Sequence, residues 1–143
     1  MQMVKPTRPS LGDIVKCWFP FDTAPDQPGP KLRPCLVLGT AADGRAVVAY
    51  GTTKADEAHE NKGVSGGGEF VVPRSDFLAL SEGQLYDETR FVLSRIVALP
   101  FDEKFFPSNK GRGKLNRRYW AAFQDAAREI HLVRTLARLG LRF

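Results

Sequence analysis

One arginine, Arg33, stands where a proline-rich stretch meets an apolar run, and this placement suits a phosphate-binding group. Pro34 follows it, and a residue before proline is confined to extended backbone. The guanidinium is therefore held at the junction of a loop and a strand, where it stays charged and offers a planar fork of donors to phosphate oxygens. The alternative is a structural arginine at the rim of a sheet, paired with Asp26 or Glu69. The residue's chemistry alone leaves both interpretations open.

A second polar group closes a later apolar run. Gly51-Thr52-Thr53-Lys54 offers two hydroxyls and an ammonium, all of which can contact a phosphate oxygen. The alternative is a Thr-Thr turn whose hydroxyls bond their own backbone. A role in chemistry for Thr52 depends on whether the fold brings it to Arg33.

The elements that must position these residues are short strands. β-Branched and aromatic composition, bounded by Gly, Pro and Asp, predicts strands over residues 13–19, 34–39, 46–50, 69–72 and 89–99. Asp43-Gly44 is a tight-turn signal, so the second and third strands form a hairpin. That hairpin places Arg33 and Thr52 at the open ends of adjacent strands, on one rim of the sheet.

The spacing of apolar residues changes from the strand period to the helix period near Asn116. Three- and four-residue spacing predicts one amphipathic helix over residues 115–140, with Asn116 as its N-cap and Gly140 as its stop. A shorter helical turn follows a cap at Ser75 or Asp76. Strands followed by one long helix predict a mainly β (α+β) fold, in which a curved antiparallel sheet or partial barrel packs against the helix.

Length and composition predict a single domain over residues 1–143, with residues 1–10 as a loose arm. With 43% hydrophobic and 26% charged residues, the chain is globular rather than disordered. Its net charge of +5 suits a polyanionic partner, either nucleic acid or an acidic peptide. No apolar run approaches the roughly 20 residues that cross a bilayer. We therefore expect a cytoplasmic protein that does not contact a membrane.

Residues for other kinds of chemistry are poorly placed. Cys17 and Cys35 lie in apolar runs, as buried free thiols do, and neither has metal ligands at a suitable spacing. His59 in a loop and His131 in the predicted helix are poor members of a catalytic triad. The glycines at 66–68 lack the Lys-Ser/Thr of a phosphate-binding loop. The sequence predicts no metal and no cofactor.

The ordered motifs between residues 11 and 54 resemble those of the PemK/MazF family of type II toxin–antitoxin toxins. The matching pieces are Gly12-Asp13-Ile14-Val15, Asp26-Gln27-Pro28-Gly29, Leu32-Arg33-Pro34-Cys35-Leu36-Val37-Leu38 and Tyr50-Gly51-Thr52-Thr53. The resemblance implies an SH3-like, CcdB/MazF-type barrel that acts as a homodimer. It also implies metal-independent cleavage of single-stranded RNA by 2′-hydroxyl attack, and inhibition by an acidic antitoxin.

The resemblance also implies roles for individual residues. The family's key arginine and threonine fall on Arg33 and Thr52, which makes both catalytic candidates. Some members carry an arginine and an aspartate in a later strand, but here only Asp87 remains, as a candidate base, with Arg90 as a candidate replacement cation. The other residues predicted to bind RNA are Gln27, Lys31, Thr53 and Lys54.

Two other functions stay open. The first is a non-catalytic module on the same fold, which acts like the gyrase-poisoning CcdB relatives or binds nucleic acid or peptide. Such action depends on the C-terminal helix rather than on Arg33 and Thr52. The second is a basic structural protein with no reaction.

Overall fold

In the part of the chain that the structure describes, six antiparallel strands form one curled sheet. The computed structural model describes residues 8–53 and 67–141. The strands are β1 (Asp13–Trp18), β2 (Leu32–Thr40), β3 (Ala46–Thr53), β4 (Glu69–Val72), β5 (Thr89–Leu99) and β6 (Gly113–Lys114). Their order in the sheet is β4-β5-β3-β2-β1-β6. The predicted mainly β, antiparallel fold is confirmed, as is the β2–β3 hairpin.

Three short α-helices accompany the sheet within the described ranges. They are α1 (Phe77–Glu82), α2 (Trp120–Glu129) and α3 (Leu132–Arg138), with a 3₁₀ turn over Arg117–Tyr119. The side chain of Asp76 caps α1 by accepting a hydrogen bond from the Ala79 amide. None of the helices in the described part of the chain is long and apolar enough to span a membrane.

The prediction of one helix over residues 115–140 is wrong. The helix is interrupted between α2 and α3, where His131 adopts a left-handed backbone conformation with a φ of 53°. The break rotates the apolar stripe, so that Leu132 and Leu136 are buried and Val133 is 60% exposed. The predicted stop agrees with the structure, because the last helix ends at Arg138 and Gly140 has a φ of 83°, whereas Asn116 caps the 3₁₀ turn before α2 rather than an α-helix.

Apolar side chains fill both faces of the sheet. One face packs against the helices, and we call it the helix-side face. The other face, which we call the far face, is covered by Phe105 and Phe106 of the segment that joins β5 to β6. Strand residues alternate between the faces. Tyr50 therefore belongs to the far face, and its neighbours Ala49 and Gly51 turn toward the helices.

Both cysteines lie in the far-face core as free, buried thiols, as predicted from their apolar surroundings. A hydrogen bond with Cys35, together with burial, raises the pKa of the Cys17 thiol. A buried thiol with a raised pKa is a poor nucleophile. The pair is therefore part of the core.

Candidate functional site

Arg33 is the second residue of β2, and its side chain is buried, with 9% exposed. It lies two residues before Cys35 and therefore on the far face. Its guanidinium carbon lies 4.8 Å from the centre of the Tyr50 ring, which confirms that orientation. The sequence places Arg33 at the start of an apolar strand, and the structure adds that its charge is held against an aromatic ring.

The β2–β3 ladder brings Thr52 beside Arg33. Leu36 pairs with Ala49, and this is the last pair of the β2–β3 register toward the open end of the hairpin. Pro34 and Gly51 lie so close that a Cβ at position 51 would clash with the Pro34 carbonyl oxygen. Extending this alignment by one residue on each strand brings Thr52 next to Arg33. Alternation along the strands assigns both side chains to the far face, near the open ends of β2 and β3.

The two neighbouring threonines point in opposite directions. Thr52 is 3% exposed, and its hydroxyl makes a long, 3.5 Å contact with the Thr53 carbonyl oxygen. Thr53 alternates to the helix-side face, where its hydroxyl lies 3.0 Å from the Tyr86 hydroxyl. The predicted RNA-binding role of Thr53 therefore falls on a side chain turned away from Arg33.

Arg90 and Glu69 extend the polar row across the sheet. Arg90 pairs with Thr52 in the β3–β5 register, two residues from far-face Val92. Its Nη1 atom lies 3.2 Å from the Glu69 Oε1 atom. Arg90 thus sits beside Thr52, as a replacement cation would need to do, and Glu69 balances its charge.

Asp87 is engaged by a neighbouring arginine. Its two carboxylate oxygens accept hydrogen bonds from Arg74, at 2.9 and 3.3 Å, and one of them also accepts from the Glu88 amide at 2.7 Å. The carboxylate raises the pKa of the Arg74 guanidinium in return. This geometry gives Asp87 a structural role at the start of β5, which competes with its predicted role as a base.

The remaining predicted RNA-binding residues differ in position. Lys31 is exposed and lines a cavity together with Arg33. Gln27 is exposed in the loop between β1 and β2, outside that cavity. Lys54 lies outside the described residues. Asp26, an alternative partner for Arg33, is exposed, and its backbone carbonyl accepts a hydrogen bond from Lys104.

Sequence reasoning did not identify Arg95 and Tyr50 as parts of the site. The Arg95 guanidinium carbon lies 4.0 Å from the centre of the Tyr50 ring and 5.9 Å from that of Phe19. Phe19 meets Tyr50 edge-on, at 5.3 Å between centres. Arg33 and Arg95 therefore share one tyrosine ring, although they lie on strands far apart in sequence. The alternation of residues along β5 could have indicated which face Arg95 lies on, but it does not show which β3 residue Arg95 lies beside.

This arrangement suits a phosphodiester. Arg33 and Thr52 together offer guanidinium and hydroxyl donors, while Lys31 and Arg95 add positive charge near them. Among residues 8–53 and 67–141, no cluster of three or more His, Cys, Asp or Glu is placed to hold a metal ion. No family model matches the chain, and no curated protein matches it either.

Proposed function

We propose that the protein is a metal-independent endoribonuclease of the toxin–antitoxin kind, which cleaves single-stranded RNA. The observation that carries this proposal is the placement of buried Arg33 and Thr52 on one face, at the open ends of adjacent strands. The motif resemblance over residues 11–54 supports it independently. A phosphate held by these two side chains lies next to further cations, which suits a polyanionic strand.

The reaction needs no group beyond the chain itself. The 2′-oxygen of the RNA attacks the adjacent phosphorus, the bond to the 5′-oxygen breaks, and a 2′,3′-cyclic phosphate remains. Arg33 stabilises the charge on the non-bridging oxygens and donates a hydrogen bond to the leaving 5′-oxygen, which takes up a proton from solvent, while Thr52 donates a hydrogen bond to the phosphate. The 2′-hydroxyl proton passes to a base.

Two carboxylates compete for the role of that base. Asp87 is already chelated by Arg74. Glu69 shares the far face with Thr52 through its ion pair with Arg90. We therefore expect Glu69→Gln to slow cleavage more than Asp87→Asn does. If Asp87→Asn slowed cleavage more than Glu69→Gln, Asp87 would be the better candidate for the base.

The test is cleavage of single-stranded RNA in EDTA, with the products mapped. Arg33→Ala removes a positioned donor, and such donors contribute about 100- to 1,000-fold to the rate. Arg138→Ala is a matched control, because that arginine is exposed on α3 and lines neither the cavity at Arg33 nor the groove along the C-terminal helices. We expect the control to cleave like the parent. A folded parent protein that leaves RNA intact would refute the proposal.

The partners follow from the same resemblance. We propose a homodimer, which sedimentation measures directly, and an acidic antitoxin that folds on binding. The protein would act on RNA in the cytoplasm, without a membrane.

A groove along the C-terminal helices favours a second candidate function, a non-catalytic binding module. It has a volume of about 760 Å³, and its apolar lining includes Leu11, Trp120 and the exposed Val133, beside Arg128 and Arg134. An apolar groove with basic edges suits an acidic amphipathic segment. If Arg33→Ala stays toxic in cells while Val133→Asp does not, the binding module is the better description.

A further inference from the structure

A small cavity adjoins Arg33 on the far face. Its volume is about 230 Å³, below the roughly 300–1,000 Å³ of sites for larger ligands. Aromatic rings, prolines and cations line it. They are Phe19, Pro20, Phe21, Pro30, Lys31, Arg33, Tyr50 and Arg95.

We propose that this cavity binds one unpaired nucleobase of the RNA strand, adjoining the phosphate held by Arg33. Arg95 and Phe21 are its base-binding residues. The inference rests on the proposed function, and it adds the residues that choose which base sits beside the scissile bond.

The contacts of Arg95 carry the first step. Among the described residues, its only contacts of an electrostatic kind are with the Tyr50 and Phe19 rings. Arg95 is partly exposed, and a guanidinium over an aromatic ring can also stack with a nucleobase through a face that the ring does not cover. Arg95 is therefore placed as a stacking residue.

Phe21 carries the second step. It is 57% exposed, and it lines the cavity from the loop between β1 and β2. Single exposed aromatic residues are common on protein surfaces, so exposure alone indicates nothing. Phe21 lines the same cavity as the Arg95 guanidinium, however, and there an exposed ring offers a second stacking surface for a flat heterocycle.

The charges of the lining favour a nucleotide over other flat ligands. None of the described residues that line the cavity is acidic, whereas three of them are cationic. Aromatic walls select a planar ring, and the cations select an attached anion. A base with its phosphate has both properties, and single-stranded RNA is recognised through unstacked bases of this kind.

The first experiment measures binding without cleavage. A labelled 2′-O-methyl RNA lacks the attacking hydroxyl, so its affinity can be followed by fluorescence anisotropy. We expect Phe21→Ala and Arg95→Gln each to weaken binding by about 5- to 150-fold, the range for loss of one base-stacking contact. Phe77→Ala and Arg138→Gln are matched controls, since Phe77 is 78% exposed on α1, Arg138 is exposed on α3, and neither lines the cavity.

The second experiment locates the base. A series of the same oligonucleotide, with one base removed at each position in turn, is bound to the parent protein and to Phe21→Ala. We expect one position next to the mapped cleavage site to matter for the parent. Removing that base should cost Phe21→Ala little more, because its stacking contact is already lost. An affinity loss spread evenly over all positions would overturn the proposal.

The outcomes separate this inference from the proposed function. If the parent cleaves RNA but both cavity variants bind like their controls, the cavity proposal fails and the cleavage proposal stands. If the variants lose affinity but the parent never cleaves, the base site stands and the nuclease fails. A free nucleotide bound as tightly as the oligonucleotide would overturn RNA as the occupant. Thermal melting checks that each cavity variant is folded. Arg95→Lys is a second variant at this position, which keeps the positive charge but lacks the planar guanidinium.

Discussion

The contact between Gly51 and Pro34 holds the two catalytic candidates together, and it can be tested by adding one methyl group. In Gly51→Ala the new Cβ would overlap the Pro34 carbonyl oxygen, and it would also lie 3.0–3.1 Å from the Phe91 ring. Phe91 is fully buried. A backbone carbonyl cannot rotate away as a side chain can, so β2 and β3 must separate at the point where Arg33 and Thr52 meet.

The expected cost follows from these contacts. Overpacking a core commonly costs about 1–3 kcal/mol. A clash with fixed backbone belongs at or above the upper end, so we expect a loss of about 3 kcal/mol or more in the free energy of unfolding. That is a large share of the roughly 5–15 kcal/mol typical of a domain.

Gly111→Ala is the matched control for this prediction. The Cβ there would also make a close contact, but with the side-chain amide of Gln84, which can move. Urea denaturation followed by circular dichroism gives both free energies. If Gly51→Ala is within about 1 kcal/mol of Gly111→Ala, less than the low end of the overpacking cost, the Pro34–Gly51 approach is wrong. The placement of Thr52 opposite Arg33 would be wrong with it.

Three further predictions test other parts of the structure. The Tyr119 hydroxyl, first among several donors, lowers the pKa of Asp76. The ionised Asp76 carboxylate should therefore stabilise the fold fully above about pH 4, and this stabilisation should be lost as pH falls through the lowered pKa. Asp76→Asn should remove this contribution from the pH dependence of the urea midpoint. Glu69→Leu removes the carboxylate that pairs with the half-buried Arg90 guanidinium. This single variant should therefore be less stable than the double variant Glu69→Leu, Arg90→Leu, as measured by chemical denaturation. Both buried cysteines should resist a thiol reagent until urea unfolds the protein, and rapid labelling of the native state would contradict their burial.

Much of the fold and the centre of the site could be predicted from local sequence signals. Asp43-Gly44 between two apolar runs specifies a hairpin, and a hairpin fixes which strand ends lie together. The proximity of Arg33 and Thr52 follows from that geometry alone. The confined backbone before Pro34 is equally local.

The cavity could not be predicted, because it depends on how distant strands are aligned. The β3–β5 register shifts by a bulge between Ala49 and Tyr50. That shift sets which β5 residue lies over the Tyr50 ring, and the structure places Arg95 there. A bulge leaves little trace in a run of apolar residues, so neither the shift nor the stacking is visible in the sequence.

The break between α2 and α3 escaped prediction for a related reason. Apolar spacing continues through it when Ile130 and Val133 are counted, as a single helix requires. The left-handed backbone at His131 shifts the phase, and Leu132 becomes the buried residue instead. Packing against a curled sheet decides between these two phases, and periodicity within one segment cannot.

The tyrosine ring shared by two arginines supports the proposal that the far-face rim binds a ligand. Arg33 and Arg95 both lie over Tyr50, at 4.8 and 4.0 Å from its centre, so their charges are closer than the Debye length of about 10 Å at moderate salt. Holding two like charges together, one of them buried, works against folding. Contact with an aromatic face offsets part of that cost, and a phosphodiester with its base would offset more. A ligand that combines a negative charge with a planar ring would contact both arginines at this rim.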